Sequence, residues 1–505
     1  MPYAPSPLSL IERIVAFGDQ PAVVDPSGTW TYAELDRRAK DLARVMISSG
    51  VGRGDRVALL CRPGRDFVIA VLATWWAGAM AVPLHPAHPA AELGYVLDDA
   101  AAGFLITSDQ HADAAEALAQ PRYLTVVTVD PGASDEERPP LTPPVALTPP
   151  DSADAALVIH TSGTTGRPKG VVHTHASVQA QIEGMVEAWA WSADDRILLV
   201  LPLNHVHGIV NVTLCPLWVG ATAEAPGGFD PVETWERLAS GRLTIFMAVP
   251  TIYARLLATW ADADEAARAH WSTGADRLRL MVSGSAALPV TVLDEWRRIT
   301  GQLLLERYGM TEVGMALGNT LAHRVAGHVG VPFPGVEARI VDDVGSDVAD
   351  GEPGELLLRG PQLFAGYWNR PDETTDAFTD GWFRTGDVGV ATPDGYRLLG
   401  RESVDILKTG GEKVSALEIE EVLRTHHDVV DCAVVGLPDD EWGERVVAAV
   451  VTRAGTTIDG PMLRRWGKER LAPAKVPTRY LFVDELPRNA MGKVTKPAVR
   501  ELFVP

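Results

Sequence analysis

The chain has 505 residues, 46% hydrophobic and 22% charged, with a formal net charge of −21, an ordinary globular composition with enough length for several domain-sized units. The acidity argues against nucleic acid as a partner, because phosphate backbones are met by clustered Lys and Arg. The three cysteines, Cys61, Cys215 and Cys432, are scattered and give neither a disulfide framework nor zinc spacing, so a reducing, cytoplasmic setting is expected.

The opening residues MPYAPSPLSLIERIVAFGDQ carry no basic stretch ahead of an apolar one, so no secretory signal is expected. Residues 30–60 then read as an amphipathic helix, a glycine-rich turn and an apolar strand. Residues 67–84, FVIAVLATWWAGAMAVPL, have about the minimum length for a membrane span. Gly78 and Pro83 interrupt them, and a buried helix turning into a buried strand is the better reading. Helix and strand keep alternating. Residues 139–150, PPLTPPVALTPP, can be neither helix nor central strand and predict an exposed connector. Beyond residues 401–413 the texture changes. The segments SALEIEEVLRTH, DCAVVGL, RVVAAVVTRAG, PMLRRWGKERLA and RYLFVDEL predict helix, strand, strand, helix, strand, a compact α+β unit of about one hundred residues starting at Asp405.

Residues 161–170, TSGTTGRPKG, are the most informative ten in the chain. Glycines let backbone N–H groups turn inward, hydroxyls donate to phosphate oxygens, and Lys169 supplies a cation, which makes the segment a phosphate cradle. A Walker loop has another spacing and opens a helix, whereas GVVH after Lys169 is β-branched and strand-like. Further segments accompany the loop. LPLNHVHG sets His205 and His207 two apart in apolar surroundings with no third ligand nearby, which argues against a metal. RLMVSGSAALP is an apolar strand ending in a small-residue turn. LLLERYGMTEVG carries Tyr308, Thr311 and Glu312 after a strand, GWFRTGDVGV carries Asp387, and PRNAMGKVTK puts Lys493 on a turn.

In this order the segments closely resemble the adenylate-forming superfamily of acyl-CoA synthetases, luciferase-like enzymes and peptide-synthetase adenylation domains, over essentially the whole chain. The resemblance implies a large α/β N-terminal domain with a β-rich portion, residues 1–404, and a small mobile α+β domain, residues 405–505, hinged at Asp405. It implies ATP, coenzyme A and Mg²⁺, a monomer or homodimer, and two half-reactions. A carboxylate attacks the α-phosphate to give an acyl-adenylate, and a thiol then displaces AMP. By resemblance, Thr161, Ser162, Gly163, Thr164, Thr165 and Lys169 hold the β- and γ-phosphates, Glu312 with Thr164 holds Mg²⁺, and Thr311 meets the α-phosphate. Gly284, Ser285 and Ala286 border the adenine, Glu306, Arg307, Tyr308 and Gly309 complete the nucleotide contacts with Tyr308 stacking on the ring, and Asp387 and Arg401 reach the ribose. Lys493 stabilises charge on the α-phosphate, and Gly410, Gly411 and Lys413 line the coenzyme A channel.

The features HVHG, VPTIYARLL and ERYGMTE resemble those of malonyl-CoA synthetases, and that likeness implies His207, Arg255, Ser283 and Met310 around the acid, with His207 also placed among the catalytic groups. Arg255 would meet the distal carboxylate, for which a guanidinium fork is well shaped. Its helix could equally leave it in solvent. Malonate, with methylmalonate tolerated, is the expected acid; medium-chain or aromatic acids, a carrier-protein thiol as acceptor, and a non-catalytic nucleotide-binding protein are the alternatives.

Overall fold

The structure, a computed structural model, describes residues 6, 8–129, 145–161, 168–439, 442–488 and 493–504, whose strands gather into four sheets. The first has nine strands. Its interior runs Leu305–Met310, Leu280–Ser283, Ile245–Ala248, Arg196–Leu198, Thr222–Glu224, all parallel. Ile245–Ala248 and Leu280–Ser283 are buried at every position, as parallel strands covered on both faces must be. The second sheet has seven strands, with Phe104–Thr107, Arg56–Leu60, Met80–Pro83 and Ala155–Thr161 parallel and Lys169–Thr174 antiparallel to the last.

One large buried core is shared by these two sheets. Within it Trp235 stacks on Trp271 and Trp296 at centroid distances of 5.7 and 5.2 Å, and Tyr253 meets Trp296 edge-on at 4.9 Å. Such pairs add about 0.5–1.5 kcal/mol each beyond area burial. The Tyr253 hydroxyl donates to the Val282 carbonyl at 3.0 Å, which ties helix Pro250–Asp262 to the end of strand Leu280–Ser283. The apolar stretch at 67–84 forms helix Arg65–Trp76 and strand Met80–Pro83, turned at Gly78 with φ of +74°. Among the described residues no helix is long and apolar enough to cross a membrane.

The third sheet is antiparallel and carries the long strand Trp382–Thr392 paired with Gly395–Arg401. The fourth takes the hairpin Ile406–Thr409 and Glu412–Ser415, the long pair Val429–Asp439 and Gly443–Thr452, and Arg479–Phe482. Apolar side chains leave both of its faces. Ile419, Leu423 and Leu463 pack on one, Leu486, Val499 and Phe503 on the other. The five elements expected here are present, and the hairpin and helix Lys496–Glu501 add to them. The architecture is thus the expected large α/β portion with a β-rich part, followed by a small α+β portion.

Candidate active site

Thr161 lies opposite Lys169 in the antiparallel pair Ala155–Thr161 and Lys169–Thr174. The glycine- and hydroxyl-rich segment therefore joins two strands of a hairpin, which excludes the strand-to-helix geometry of a Walker loop. Ser162, Gly163, Thr164 and Thr165 fall outside the described residues. Lys169 pairs with Glu373 and sits 5.1 Å from the centroid of the Tyr367 ring. The Tyr367 hydroxyl in turn donates to Glu312 Oε1 at 3.0 Å, so one tyrosine joins the cation at the end of the loop to the expected metal ligand. Burial raises the Glu312 pKa, and a divalent cation would return that carboxyl to its anionic form. A hard carboxylate of this kind suits Mg²⁺.

The residues expected at the nucleoside are assembled across two sheets. Asp387 and Arg401 face each other in the register of their strands, with Arg401 Nε donating to Asp387 Oδ1 at 3.0 Å. The Tyr308 hydroxyl donates to Asp387 Oδ2 at 2.5 Å and lies 3.7 Å from Met310 Sδ. Thr311 is fixed by a residue that sequence reasoning missed. His173 donates from Nε2 to the Thr311 carbonyl at 2.7 Å, while Ser177 Oγ and Gln181 Nε2 lie 3.1 and 3.2 Å from Nδ1. Burial pushes the His173 pKa down to about 4, so the imidazole is neutral and its tautomer is set by these partners. Gly314, with φ of +62°, leaves the room Gln181 needs, because a Cβ there would lie 2.2 Å from its amide. A Cβ on Gly309 would likewise lie 2.1 Å from the Gly314 carbonyl oxygen.

Three residues lie differently from expectation. Arg255 is exposed: its helix buries Ile252, Tyr253 and Leu256, so at 3.6 residues per turn positions 254 and 255 turn outward. Arg307, expected among the nucleotide contacts, is the guanidinium that is buried by the small-residue turn. It packs so closely on Gly284 that a Cβ there would lie 2.6 Å from its guanidinium carbon, and its Nη2 is 3.4 Å from Ser285 Oγ. Burial pushes its pKa down to about 9. Glu306, also expected at the nucleotide, instead accepts from the Gly327 N–H at 2.7 Å, and burial raises its pKa to about 8.

Ser285 holds φ of +69°, a conformation a serine keeps only where its surroundings impose it, and its hydroxyl lies 3.2 Å from His207 Nδ1. Ala286 beside it is exposed. His207 opens the π-helix His207–Leu214, a form that concentrates at functional sites. Gly208 is needed there, since a Cβ would lie 2.3 Å from the Pro202 carbonyl oxygen. Desolvation keeps His207 neutral, with Arg307 and Lys493 reinforcing the effect. Arg307 Nε and Nη1, His207 Nε2, Ser283 Oγ and His205 Nε2 are buried and have no hydrogen-bond partner among the described residues. Buried polar atoms are otherwise nearly always paired, so this cluster marks a place built for a polar ligand.

From the small α+β portion, Lys493 comes within electrostatic reach of Arg307, Arg401 and Asp387, and burial with the two arginines lowers its pKa to about 8. Three cations are thus drawn together with Asp387 as the nearby anion, an arrangement suited to an anionic substrate. Asp405 Oδ2 accepts from the Arg401 N–H at 3.1 Å, and Lys496 Nζ lies 3.6 Å from Asp405 Oδ1. Gly410 and Gly411 form the hairpin turn with φ of +59° and +82°, the two positive values a tight two-residue turn demands. Lys413 does not reach the site; it pairs with exposed Asp343 at 3.0 Å.

The AMP-binding enzyme family model matches residues 11–368, and the AMP-binding enzyme C-terminal domain model matches residues 418–493. The chain is 44% identical to the malonate–CoA ligase, mitochondrial, of Homo sapiens, across 98% of this chain and 92% of the relative. It is 39% identical to the malonate–CoA ligase of Arabidopsis thaliana, across 96% and 86%. Among solved structures, ATP-bound MatB from Rhodopseudomonas palustris superposes with a TM-score of 0.88 at 34% identity, covering 98% of each chain. Matched over most of its length, the chain belongs to the AMP-binding enzyme family.

Proposed function

We propose that the protein is an AMP-forming malonate–CoA ligase, joining malonate to coenzyme A through malonyl-AMP with release of diphosphate. The observation that carries the acid is Arg307: a buried guanidinium with Nε and Nη1 unpaired, beside His207, Ser283 and Ser285. On a strand, Arg307 and Tyr308 point to opposite faces, so the residue that meets Asp387 is turned toward the nucleoside while its neighbour is turned toward the acid. A distal carboxylate pairs bidentately with the guanidinium. A monocarboxylate would leave that charge buried and unpaired, at a cost of about 3–5 kcal/mol, hence discrimination of roughly a hundredfold or more.

In the first half-reaction a malonate oxygen forms a bond to the α-phosphorus and the bond to the diphosphate oxygen breaks. Lys493 neutralises charge developing on the α-phosphate oxygens. Thr311, held through its carbonyl by His173, and Asp387, which can take hydrogen bonds from the ribose hydroxyls in place of Tyr308, orient the nucleotide. Lys169 and the loop hold the departing diphosphate. Glu312, with Thr164, would hold Mg²⁺, which when bound neutralises phosphate charge. In the second half-reaction the thiol attacks the acyl carbon and AMP leaves; residues 405–505 turn about Asp405 and present the Gly410–Gly411 hairpin to the acceptor. The buried, unpaired cysteines support a reducing compartment; the cytoplasm is one such compartment, and the human relative is named as mitochondrial.

The test is ATP–diphosphate exchange with a panel of acids. Malonate should exceed butyrate, octanoate and benzoate by roughly a hundredfold in kcat/KM, and Arg307→Ala should erase most of that preference while Arg255→Ala leaves it nearly intact. A preference for octanoate or benzoate, or a collapse in Arg255→Ala alone, overturns the reading.

A further inference from the structure

Lys169, which the proposed function sets on the departing diphosphate, is already occupied: its ammonium pairs with Glu373 in the first turn of helix Pro371–Asp376. To hold a diphosphate it has to leave that carboxylate. Glu373 has a second cation within reach, because Arg370 Nη1 donates to its Oε1 at 3.2 Å. The Arg370 guanidinium is in turn anchored on its other side, with Nη2 donating to Asp99 Oδ1 at 3.3 Å. Asp99, Arg370, Glu373 and Lys169 thus form a row of charges that alternate in sign and end at the phosphate loop. Asp99 belongs to the framework that holds the loop. Its Oδ2 lies 2.9 Å from Nε2 of His160, the residue before Thr161. Tyr95, one turn earlier on helix Ala90–Ala100, donates from its hydroxyl at 2.8 Å to the carbonyl of Pro168, the residue before Lys169. Residues four apart share a helix face, so both ends of the loop and Arg370 are referred to one face of one helix.

We propose that Arg370 is a positioning residue for diphosphate capture: it takes over the Glu373 carboxylate as Lys169 turns to the phosphates, and gives it back when diphosphate leaves. The proposal rests on the reading of Lys169 as a diphosphate ligand and deepens it by naming what releases the lysine. The magnitudes suit a hand-over. Lys169, Glu373 and Arg370 are all half-buried, and ion pairs of that kind shift an equilibrium by only a few-fold, so neither cation locks the carboxylate in place. A carboxylate with no second cation would behave differently. It would hold Lys169 back, and once the lysine had gone it would stand uncompensated beside a diphosphate of like sign. Asp99 keeps the guanidinium at its post, since Arg370 would have to give up a second carboxylate to follow the phosphates itself.

The experiment is a double-substitution cycle on the full chain, with Arg370→Gln, Glu373→Gln and the two combined. Binding of inorganic diphosphate at fixed Mg²⁺ is measured by calorimetry, and malonate-dependent ATP–diphosphate exchange gives KM for ATP and kcat. Arg370→Gln should weaken diphosphate binding and raise KM for ATP by about two- to fivefold, with kcat and KM for malonate nearly unchanged. Glu373→Gln should tighten diphosphate binding by a similar factor, because Lys169 is free from the start. In the combined variant the arginine should cease to matter: with no carboxylate to take over, the affinity should match that of Glu373→Gln alone. A structural role, or direct attraction of diphosphate by Arg370, would persist in both backgrounds. Equal weakening by Arg370→Gln with and without the Glu373 carboxylate therefore overturns the proposal, as does an unchanged affinity in Arg370→Gln. Lys169→Met probes the reading underneath. It should weaken diphosphate binding; if it does not, that reading and the hand-over fall together, whereas a loss in Lys169→Met beside equal weakening in both backgrounds fells the hand-over alone. Failure of malonate in the exchange assay touches only the acid assignment, since diphosphate binding is read without the acid.

Discussion

Lys493 and Glu306 show how burial tunes single groups here. With its pKa lowered to about 8, the Lys493 ammonium exists in the free enzyme below that pH and is lost above it. The kcat/KM of adenylate formation should therefore fall as pH rises through about 8, while kcat holds to higher pH because bound phosphates retain the proton. Thioesterification of supplied malonyl-AMP should lack this limb. Lys493→Ala should lose adenylate formation by roughly 10²–10³-fold and keep the second half-reaction; equal loss of both, measured by single turnover, contradicts the role given to it. Acylation of the same amine, by removing its charge, should act like this variant. Glu306 titrates the other way round. Its folded pKa is raised to about 8, so between the ordinary carboxyl value and 8 the folded state binds the extra proton, and stability declines as pH climbs through that window. Glu306→Gln keeps an acceptor for the Gly327 N–H without the ionisation, and at pH 8 it should gain at least about 1 kcal/mol, read by denaturant unfolding at pH 5 and pH 8.

At the scale of elements, short strands do the positioning. Gly366–Tyr367 pairs antiparallel with Lys169–Thr174 and so delivers Tyr367 between Lys169 and Glu312. Tyr367→Phe removes one hydrogen bond to the Glu312 carboxyl, worth about 0.5–1.5 kcal/mol. The Mg²⁺ concentration giving half-maximal exchange should rise several-fold, with KM for malonate steady. Such arrangements explain what the sequence disclosed. The motifs after strand ends were readable because apolar runs stop at glycine and hydroxyl residues, and helix Pro250–Asp262 was readable even to its faces: Ile252, Tyr253 and Leu256 already mark the buried side that leaves Arg255 out. Arg307 was harder. Its strand is buried on both faces, so no alternation separates one side from the other. His173 lies 138 residues from the Thr311 it supports, and no local pattern encodes a partner that only sheet assembly supplies. The π-helix at His207 has no signature in the apolar periodicity, although Gly208 closes on Pro202 only six residues back.

Across the whole molecule, the proposed function asks one site to do two reactions with different parts of the small α+β portion. Lys493 and the Gly410–Gly411 hairpin belong to the same body, and the proposed reaction gives them opposite half-reactions, so substitutions should separate them. Gly410→Val has to hold φ of +59° and sits about 3.0 Å from the Trp442 ring; thioesterification should fall by tenfold or more, with diphosphate exchange retained. Loss of exchange in that variant would show that the hairpin matters before the thiol arrives. The orientation seen here is held in part by Lys413 and Asp343, which meet at 3.0 Å in full view of solvent. Ions in the medium weaken a tie of this kind, since the screening length is only about 8 Å at physiological ionic strength. Added salt should therefore hasten departure from this orientation, and, on the proposed function, malonyl-AMP should persist longest in dilute buffer, making ionic strength a dial on how long the activated acid waits for its thiol.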